Sequence, residues 1–312
     1  MLNRLILLAF ISISALCISA CDSSNEPQKP TTSSAKLAPA EPQSQASPAV
    51  YWAKPGFAPL FILKGPFKER GMGDEIFSLL QQRTPGFKHI NTEANYPRII
   101  TEMRKGTNMC AILHHNDERA EFMYFSKPIV ITPSYQIYVS KKGREALNER
   151  FDRDVREESF DTLLSRSQGL NMAITPKQSY GPDRDGIIGK YRDTIEFSYN
   201  FTEQTTLMKR LASDRIDMVL AFPWVFNYEL DLLGLHSHIS KIHLTDMPIH
   251  QVSNIGCAKT SVGKQVVDAI DTMSPAPHTF LKEVVVDWLT PQEISDYRAA
   301  YTQYFEGDGT VH

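Results

Sequence analysis

DERAEFMYFSKPIVITPSYQIYV, residues 117–139, opens with two acidic residues and an arginine. It continues as an aromatic run closed by a proline and ends in a β-branched and aromatic stretch typical of a strand. Two adjacent histidines, His114 and His115, stand just before it. Taken alone, this region is compatible with a metal site, a catalytic site or the mouth of a binding cleft, so the flanking sequence has to decide.

Apolar periodicity on both sides of the segment predicts alternating strands and helices. Before it we predict strands at 49–54, 87–94 and 109–113, with helices at 71–87 and 96–107 between them, and Asp74 as the first helix cap. After it we predict strands at 170–175, 194–200 and 216–222, with intervening helices, then a strand at 250–259, a helix at 262–273 and two terminal helices at 280–289 and 291–305. This order is typical of parallel α/β units and predicts two similar α/β halves.

Size and charge narrow the functional classes. The chain has 312 residues, enough for two domains, and a formal net charge of −3. No long basic stretch is present, which argues against nucleic acid as a partner.

The first 49 residues differ in composition from the rest. Residues 1–20, MLNRLILLAFISISALCISA, have a positive charge at Arg4, an apolar core and small residues at the end, the pattern of a secretory signal. The next residue is Cys21, and ISAC resembles the lipobox of bacterial lipoproteins, which implies lipidation of Cys21. An uncleaved membrane anchor is the alternative, although the apolar run is short against the roughly 20 residues of a spanning helix. Residues 21–49 lack aromatics and predict a disordered tether.

The order of these features resembles solute-binding protein family 3, the type II periplasmic-binding-protein fold of amino-acid ABC importers. The resemblance rests on residues 117–139 and on LASDRIDMVLAF, residues 211–222, and covers the chain from about residue 50. It implies an α/β fold of two lobes, each a mostly parallel sheet flanked by helices. Residues 50–139 and 251–312 would form lobe 1 and residues 140–250 lobe 2, with crossings near Ser140 and His250.

The resemblance also implies a role for two of the four cysteines. In that family the returning strand lies antiparallel beside the third strand of lobe 1, which would bring Cys257 near Cys110. Export to an oxidising compartment permits a disulfide between them. Two separate buried thiols are the alternative.

Arg119 occupies the position of the family arginine that binds a ligand carboxylate, and a guanidinium offers a rigid fork to such an anion. A surface salt bridge with Glu118 or Glu121 is the alternative. His114 and His115 would line the cleft, but neighbours on an extended segment point in opposite directions, so we expect only one to face the ligand. The same geometry disfavours a shared metal ion, and we predict neither a metal nor a cofactor.

Further ligand contacts are implied for both lobes. Ser179, Tyr180 and Gly181 lie in the loop that meets the ligand at a helix start, where N–H groups favour an anion; an ordinary capped turn is the alternative. Phe57 belongs to the aromatic-proline loop of lobe 1, either as an apolar wall against the ligand or as packing of that loop. Phe222 and Trp224 lie at the end of the strand 216–222, after which family members carry an aspartate for an α-amino group. This chain has Ala221, Phe222 and Pro223 there, which favours an anionic, partly apolar solute. The ring of Phe222 or Trp224 would stack on a ring or alkyl chain of the ligand, and core packing is the alternative.

The sequence therefore predicts a monomeric, lipid-anchored solute-binding protein on the periplasmic side of the envelope, with the inner membrane favoured by Asp22. It would hand a small carboxylate-bearing solute, anionic or amino-acid-like, to an ABC permease and perform no covalent chemistry. A sensory lipoprotein that presents its ligand state to a membrane receptor is one alternative. A lyase or dehydratase on the same scaffold is the other.

Overall fold

The computed structural model describes residues 47–174, 180–193, 196–198, 204–307 and 309. The chain divides into two units after residue 45, and all described residues belong to the second, residues 46–312. The signal, Cys21 and most of the expected tether lie outside the described residues. Among those residues, no helix is long and apolar enough to cross a membrane.

The second unit contains strands and helices in alternation. The strands are β1 Ala49–Lys54, β2 Lys88–Glu93, β3 Met109–Leu113, β4 Met123–Phe125, β5 Val130–Pro133, β6 Gln136–Ser140, β7 Glu157–Glu158, β8 Asn171–Ala173, β9 Glu196–Ser198, β10 Met218–Ala221, β11 Ile239–Leu244 and β12 His250–Ala258. The α-helices are α1 Met72–Gln82, α2 Tyr96–Arg104, α3 Asp117–Ala120, α4 Lys141–Phe151, α5 Phe160–Ser165, α6 Pro182–Lys190, α7 Gln204–Ala212, α8 Pro223–Leu233, α9 Ser261–Asp271, α10 Pro277–Leu281 and α11 Pro291–Glu306.

The strands form two sheets of six. The first has the order β2-β1-β3-β12-β4, with β5 paired to β12; the second has the order β7-β11-β6-β10-β8-β9. Each sheet contains parallel pairs, such as β1 with β2 in the first sheet and β8 with β10 in the second. Each also contains a strand that pairs antiparallel with them: β12 with β3 in the first sheet, and β6 with β10 in the second. The predicted two-lobed α/β class is confirmed.

Two passages of the chain connect the sheets. The first runs through Ser134 and Tyr135, because β5 pairs with β12 in the first sheet while β6 pairs with β10 and β11 in the second. The crossing therefore lies earlier in the chain than the expected position near Ser140. All of β6, Gln136–Ser140, is hydrogen-bonded within the second sheet. The return passage lies between Leu244 and His250. The boundary of the tether also differs by one residue, because β1 begins at Ala49, which was assigned to the tether.

The start of α1 differs from the prediction. Gly71, not Asp74, is the N-cap, and the buried Asp74 carboxylate accepts a hydrogen bond from the Gly71 N–H at 3.1 Å and pairs with Lys54 Nζ at 2.7 Å. A Cβ on Gly71 would lie 2.5 Å from the carbonyl oxygens of Pro59 and Leu60. The glycine therefore lets the helix start pack against that loop, and Asp74 stabilises the arrangement from inside the first turn.

The disulfide prediction is confirmed. Cys110 and Cys257 are direct cross-strand partners in the β3–β12 pair, and their sulfurs are bonded at 2.06 Å. Both residues are almost fully buried. The bond joins strands 147 residues apart in sequence, at the centre of the first sheet.

The C-terminal region reaches both sheets. The predicted helix at 280–289 is replaced by the short α10 and a 3₁₀ turn, Val286–Trp288, whereas α11 agrees with the prediction. Tyr301 of α11 donates to the carbonyl of His278, while Glu293 accepts hydrogen bonds from Asn227 of α8 and Lys241 of β11. The first turn of α11 is thus attached to the second sheet, although the resemblance assigns this region to lobe 1.

Candidate functional site

Aromatic side chains fill the space beside the first passage between the sheets. Phe222 stacks on Tyr135 at 3.8 Å and on Trp224 at 4.7 Å between ring centroids. Phe57 meets Trp224 edge-on at 5.5 Å, and Tyr180 meets Tyr135 edge-on at 4.9 Å. We call Phe57, Tyr135, Tyr180, Phe222 and Trp224 the aromatic cluster. It joins the loop after β1, the passage between the sheets, and the starts of α6 and α8.

The cluster leaves little room in this conformation. A cavity of about 30 Å³ remains beside it, lined on the lobe 2 side by apolar residues of α7, β10 and α8. Ligand pockets in proteins typically enclose about 300–1,000 Å³. A solute therefore fits here only when the rings separate, either by rotation or by movement of the two sheets apart.

Arg119 is held at the edge of this region by its own short helix. Asn116 caps α3 by accepting a hydrogen bond from the Arg119 N–H at 2.8 Å, and Arg119 Nη1 donates to the His114 carbonyl at 2.9 Å. Glu118, the alternative partner, bonds Arg104 at 2.7 Å instead. Among the described residues no carboxylate lies within ion-pair distance of Arg119. Burial lowers the pKa of its guanidinium, while the hydroxyls of Tyr96 and Tyr135 and the Glu118 carboxylate oppose the shift.

Arg184, in the first turn of α6, approaches the same region from the second lobe. Its Nη2 donates to Ser134 Oγ at 2.8 Å, its Nη1 donates to the Tyr180 carbonyl at 3.0 Å, and its Cζ lies 5.6 Å from the Tyr135 ring centroid. The residue is 9 % exposed, its Nε is buried without a hydrogen-bond partner, and it forms no ion pair within the part of the chain described. Sequence reasoning missed Arg184, because DRDG at a helix start is usually a solvated turn.

His114 and His115 point in different directions, as the extended backbone predicts. His114 Nδ1 lies 2.7 Å from the Val252 carbonyl oxygen, so this nitrogen carries the proton and Nε2 is left as an acceptor. Burial lowers the His114 pKa, and the positive charges of Arg119 and Arg184 lower it further. His115 is exposed and meets the edge of Phe125 at 4.9 Å. Both arginines therefore act on one neutral histidine, and His115 lies apart from the aromatic cluster.

The loop before α6 meets the candidate site through its side chains more than through its backbone N–H groups. Gly181 is the N-cap, with φ 98°, a conformation that glycine adopts readily. The Tyr180 N–H donates to the Asp185 carboxylate at 2.9 Å, and Asp183 also lies in the first turn. Two carboxylates at a helix start offset the positive end of its dipole. Ser179 lies outside the described residues.

Phe222 and Trp224 mark the start of α8, a helix that was not predicted from the sequence. Pro223 occupies the first position of α8, a common site for proline, and Phe222 is its N-cap. Both aromatic side chains are buried in the cluster, 5 % and 3 % exposed. The position at which the resemblance would place an aspartate is thus filled by an aromatic ring.

The same region offers no evident metal site. Among the residues that the structure describes, no group of three or more histidine, cysteine, aspartate or glutamate side chains is placed to hold a metal ion.

Comparison with solved structures identifies the fold. An amino-acid ABC transporter substrate-binding protein, AbpA from Streptococcus pneumoniae, bound to L-arginine, is 15% identical with a TM-score of 0.54, over 82% of this chain and 96% of its own. The periplasmic VFT2 domain of Bordetella pertussis BvgS is 17% identical with a TM-score of 0.54, over 78% and 94%. A histidine kinase sensor domain with similarity to periplasmic binding proteins is 11% identical with a TM-score of 0.57, over 78% and 96%.

These likenesses define a class by its fold: the two-lobed α/β architecture of periplasmic solute-binding proteins. No protein-family model matches the sequence, and comparison with curated proteins finds no match. At these identities the solved structures establish the architecture alone.

Proposed function

We propose that residues 46–312 bind a small anionic, partly apolar solute between the two lobes and perform no covalent chemistry. The observation that carries this proposal is the convergence of two arginines from opposite lobes on Tyr135 and His114, with no carboxylate in ion-pair distance of either among the described residues. Arg184 is buried and Arg119 is half-buried. The carboxylates that act on them, Glu118 on Arg119 and Asp183, Asp185 and Asp246 on Arg184, form no ion pair with either guanidinium. An anionic ligand between the lobes supplies a direct counter-ion to both.

The aromatic cluster supplies the apolar half of the site. Its rings present flat faces and edges to a ring or alkyl chain once the lobes part. The absence of an aspartate at Phe222 removes the group that would pair with an α-amino nitrogen. A carboxylate without that nitrogen is therefore the preferred ligand class, with Arg119 and Arg184 as its anchors.

The proposal extends to the cellular role. Cys21 is the lipid-anchored residue, residues 22–48 tether the folded unit on the periplasmic side of the inner membrane, and an ABC permease receives the solute. The L-arginine complex of AbpA supports solute transport as a role for this architecture.

Sensing is a second candidate, because one structural neighbour is a histidine kinase sensor domain. Both roles use the same closing cleft, and the ligand experiment below applies to each. The partner protein distinguishes the two roles. If the protein serves transport, deletion of the cognate permease genes abolishes uptake of the solute. If it serves sensing, the same deletion leaves signalling intact.

The lyase or dehydratase alternative receives less support. His114 would be its acid or base, since the Val252 carbonyl orients the ring and leaves Nε2 as an acceptor. Glu118, the carboxylate of the same segment, pairs with Arg104 at 2.7 Å instead.

A thermal-shift screen of residues 46–312 against monocarboxylates, dicarboxylates, amino acids and peptidoglycan fragments tests the proposal. We expect a carboxylate to raise the melting temperature of the wild type. Arg119→Ala or Arg184→Ala should remove most of that shift, since a charge-assisted hydrogen bond contributes about 1.5–3 kcal/mol.

Arg156→Ala is the matched control. Its side chain is 83% exposed and pairs with Asp154, remote in sequence from the passage between the sheets. A ligand shift that survives both test substitutions would exclude the arginines as anchors. The absence of any shift with carboxylates would reject the ligand class.

A further inference from the structure

A second cavity lies beside the return passage, and none of its lining residues also lines the small cavity beside the aromatic cluster. It encloses about 460 Å³ between the first sheet, the second sheet and α11. Pro133 and His250 contribute from the first sheet, Gln136 and His243 from the second, and Asp296 and Ala299 from α11. This volume falls within the range of small-molecule sites, unlike the space beside the aromatic cluster.

The polar groups of this cavity are mainly acceptors. Gln136 Oε1 accepts from the Leu244 N–H at 3.3 Å, which fixes this atom as the amide oxygen. His243 Nδ1 lies 3.1 Å from the same oxygen and must therefore be its donor, so Nε2 of the neutral ring is an acceptor. A ligand that meets His243 Nε2 has to present a hydrogen.

The histidine from the first sheet adds an unpartnered group. His250 is 4% exposed, its ring lines the cavity, and its Nδ1 is buried without a hydrogen-bond partner among the described residues. That nitrogen has almost no accessible surface, so it faces the packed interior, and His250 contributes other atoms of its side chain to the cavity wall.

The charges of the cavity are unbalanced toward the negative. Lys241 and Glu293 neutralise each other at 3.2 Å, and Glu293 also accepts from Asn227 at 2.8 Å. Asp296, an exposed residue of α11, accepts only a neutral hydrogen bond from Gln292, at 3.2 Å, and forms no ion pair within the described part of the chain. This exposed carboxylate, together with the His243 acceptor, favours a cation that donates hydrogen bonds.

We propose that this cavity binds a small organic ammonium ion, with Asp296 as its charged partner, His243 as an acceptor, and Pro133 and Ile249 as apolar contacts. A metal ion is not the occupant that the site fits, because the described residues contain no group of three metal-ligating side chains. The walls come from both sheets, so occupancy depends on the angle between the lobes and is coupled to the aromatic cluster.

The test uses the exported chain, residues 21–312 with Cys21→Ser, which contains the whole folded unit. The probes are benzylammonium, cyclohexylammonium and 1,4-diammoniobutane, with benzyl alcohol and benzoate as neutral and anionic counterparts, followed by calorimetry and saturation-transfer NMR. We expect at least one ammonium ion to bind with a Kd below about 1 mM, and its counterparts to bind about tenfold more weakly or less.

Two substitutions locate the site. Asp296→Asn should weaken ammonium binding by about tenfold or more, since it removes the charge and keeps the shape. Ala299→Phe should abolish binding by filling the cavity, and Ala299 is exposed, so folding should be retained. Asp268→Asn, an exposed helical aspartate of α9 outside the cavity, is the matched control.

The outcomes separate this proposal from the proposed function. Retained ammonium binding in Arg119→Ala and Arg184→Ala supports an independent site, whatever the fate of the carboxylate ligand. Binding that survives Ala299→Phe, or failure of all three ammonium ions to bind below about 10 mM, would overturn it.

Discussion

At the scale of the residue, the functional interpretation depends on two arginines and two histidines: Arg119, Arg184, His114 and His250. The resemblance identified Arg119 because it follows an acidic pair at a known place in the order of motifs. Arg184 carried no such signal, since only the packing of α6 against Ser134 and Tyr135 distinguishes it from the exposed arginines of this chain. The histidine pair illustrates the opposite case: strand geometry alone predicted that one would be held inside and the other would point away.

A pH dependence of stability follows from His114 and His250. Burial is the main cause that lowers both pKa values below the ordinary 6.5. Each histidine therefore binds fewer protons in the folded than in the unfolded state, and the free energy of unfolding falls as the pH decreases through the unfolded value. We expect the melting temperature to drop between pH 7.5 and about 5.5, above the range in which carboxylates titrate.

His114→Gln combined with His250→Gln should flatten this dependence, whereas the exposed His115→Gln should leave it unchanged. Melting curves of the three chains over that pH range provide the measurement. Equal slopes for the wild type and the double variant would contradict the assignment.

At the scale of the element, sequence patterns located the segments whose burial is one-sided or complete. β1, α2, β3 and α11 agree with the predictions because apolar periodicity and helix stop signals both point to them. α8 was missed because its start, Phe222–Pro223–Trp224, is apolar without a helical stripe. The boundary between the lobes was placed after β6 and not before it, because the fully buried residues of β6 suit either sheet. Only its partner strands, β10 and β11, show to which sheet it belongs.

The disulfide makes an element-scale prediction. A bond that closes a loop of 147 residues restricts the unfolded chain strongly, and its loss typically costs about 2–5 kcal/mol. We expect Cys110→Ala combined with Cys257→Ala to lower the free energy of unfolding by that amount in denaturant titrations. The reducing agent TCEP should destabilise the wild type and leave the double variant unaffected. Two titratable thiols in denatured, unreduced residues 46–312, which contain only Cys110 and Cys257, would contradict the bond.

Close packing of α4 against Asp217, the residue before β10, makes a second element-scale prediction. A Cβ on Gly143 would lie 2.3 Å from the Asp217 carbonyl oxygen, whereas one on Gly189, in α6, would meet nothing within 4 Å. Gly143→Ala should therefore destabilise the fold by about 1–3 kcal/mol, since the backbone must move. Gly189→Ala should be neutral or stabilising by up to about 1 kcal/mol. Chemical denaturation of both variants tests the contrast, and a stabilising Gly143→Ala would refute the packing.

At the scale of the whole molecule, two sheets share two connecting passages, and side chains that face each other across them define both candidate sites. The aromatic cluster and the arginines lie beside the first passage. The second cavity is bounded by both sheets and by α11, whose first turn bonds the second sheet through Glu293. The fold class was predictable from element order, but this convergence was not, because it joins residues far apart in sequence through contacts that no local pattern encodes.

The central claim is that Arg119 and Arg184, from opposite lobes, hold one anionic solute. A double-mutant cycle measured by calorimetry, with the best carboxylate from the screen and the variants Arg119→Ala, Arg184→Ala and their combination, tests it most directly. We predict that each single substitution weakens binding by about tenfold or more. We also predict that the two losses fall short of additivity by at least about 0.5 kcal/mol, as expected for residues that share one ligand. Losses that add within about 0.3 kcal/mol, or a dissociation constant unchanged by either substitution, would contradict the account.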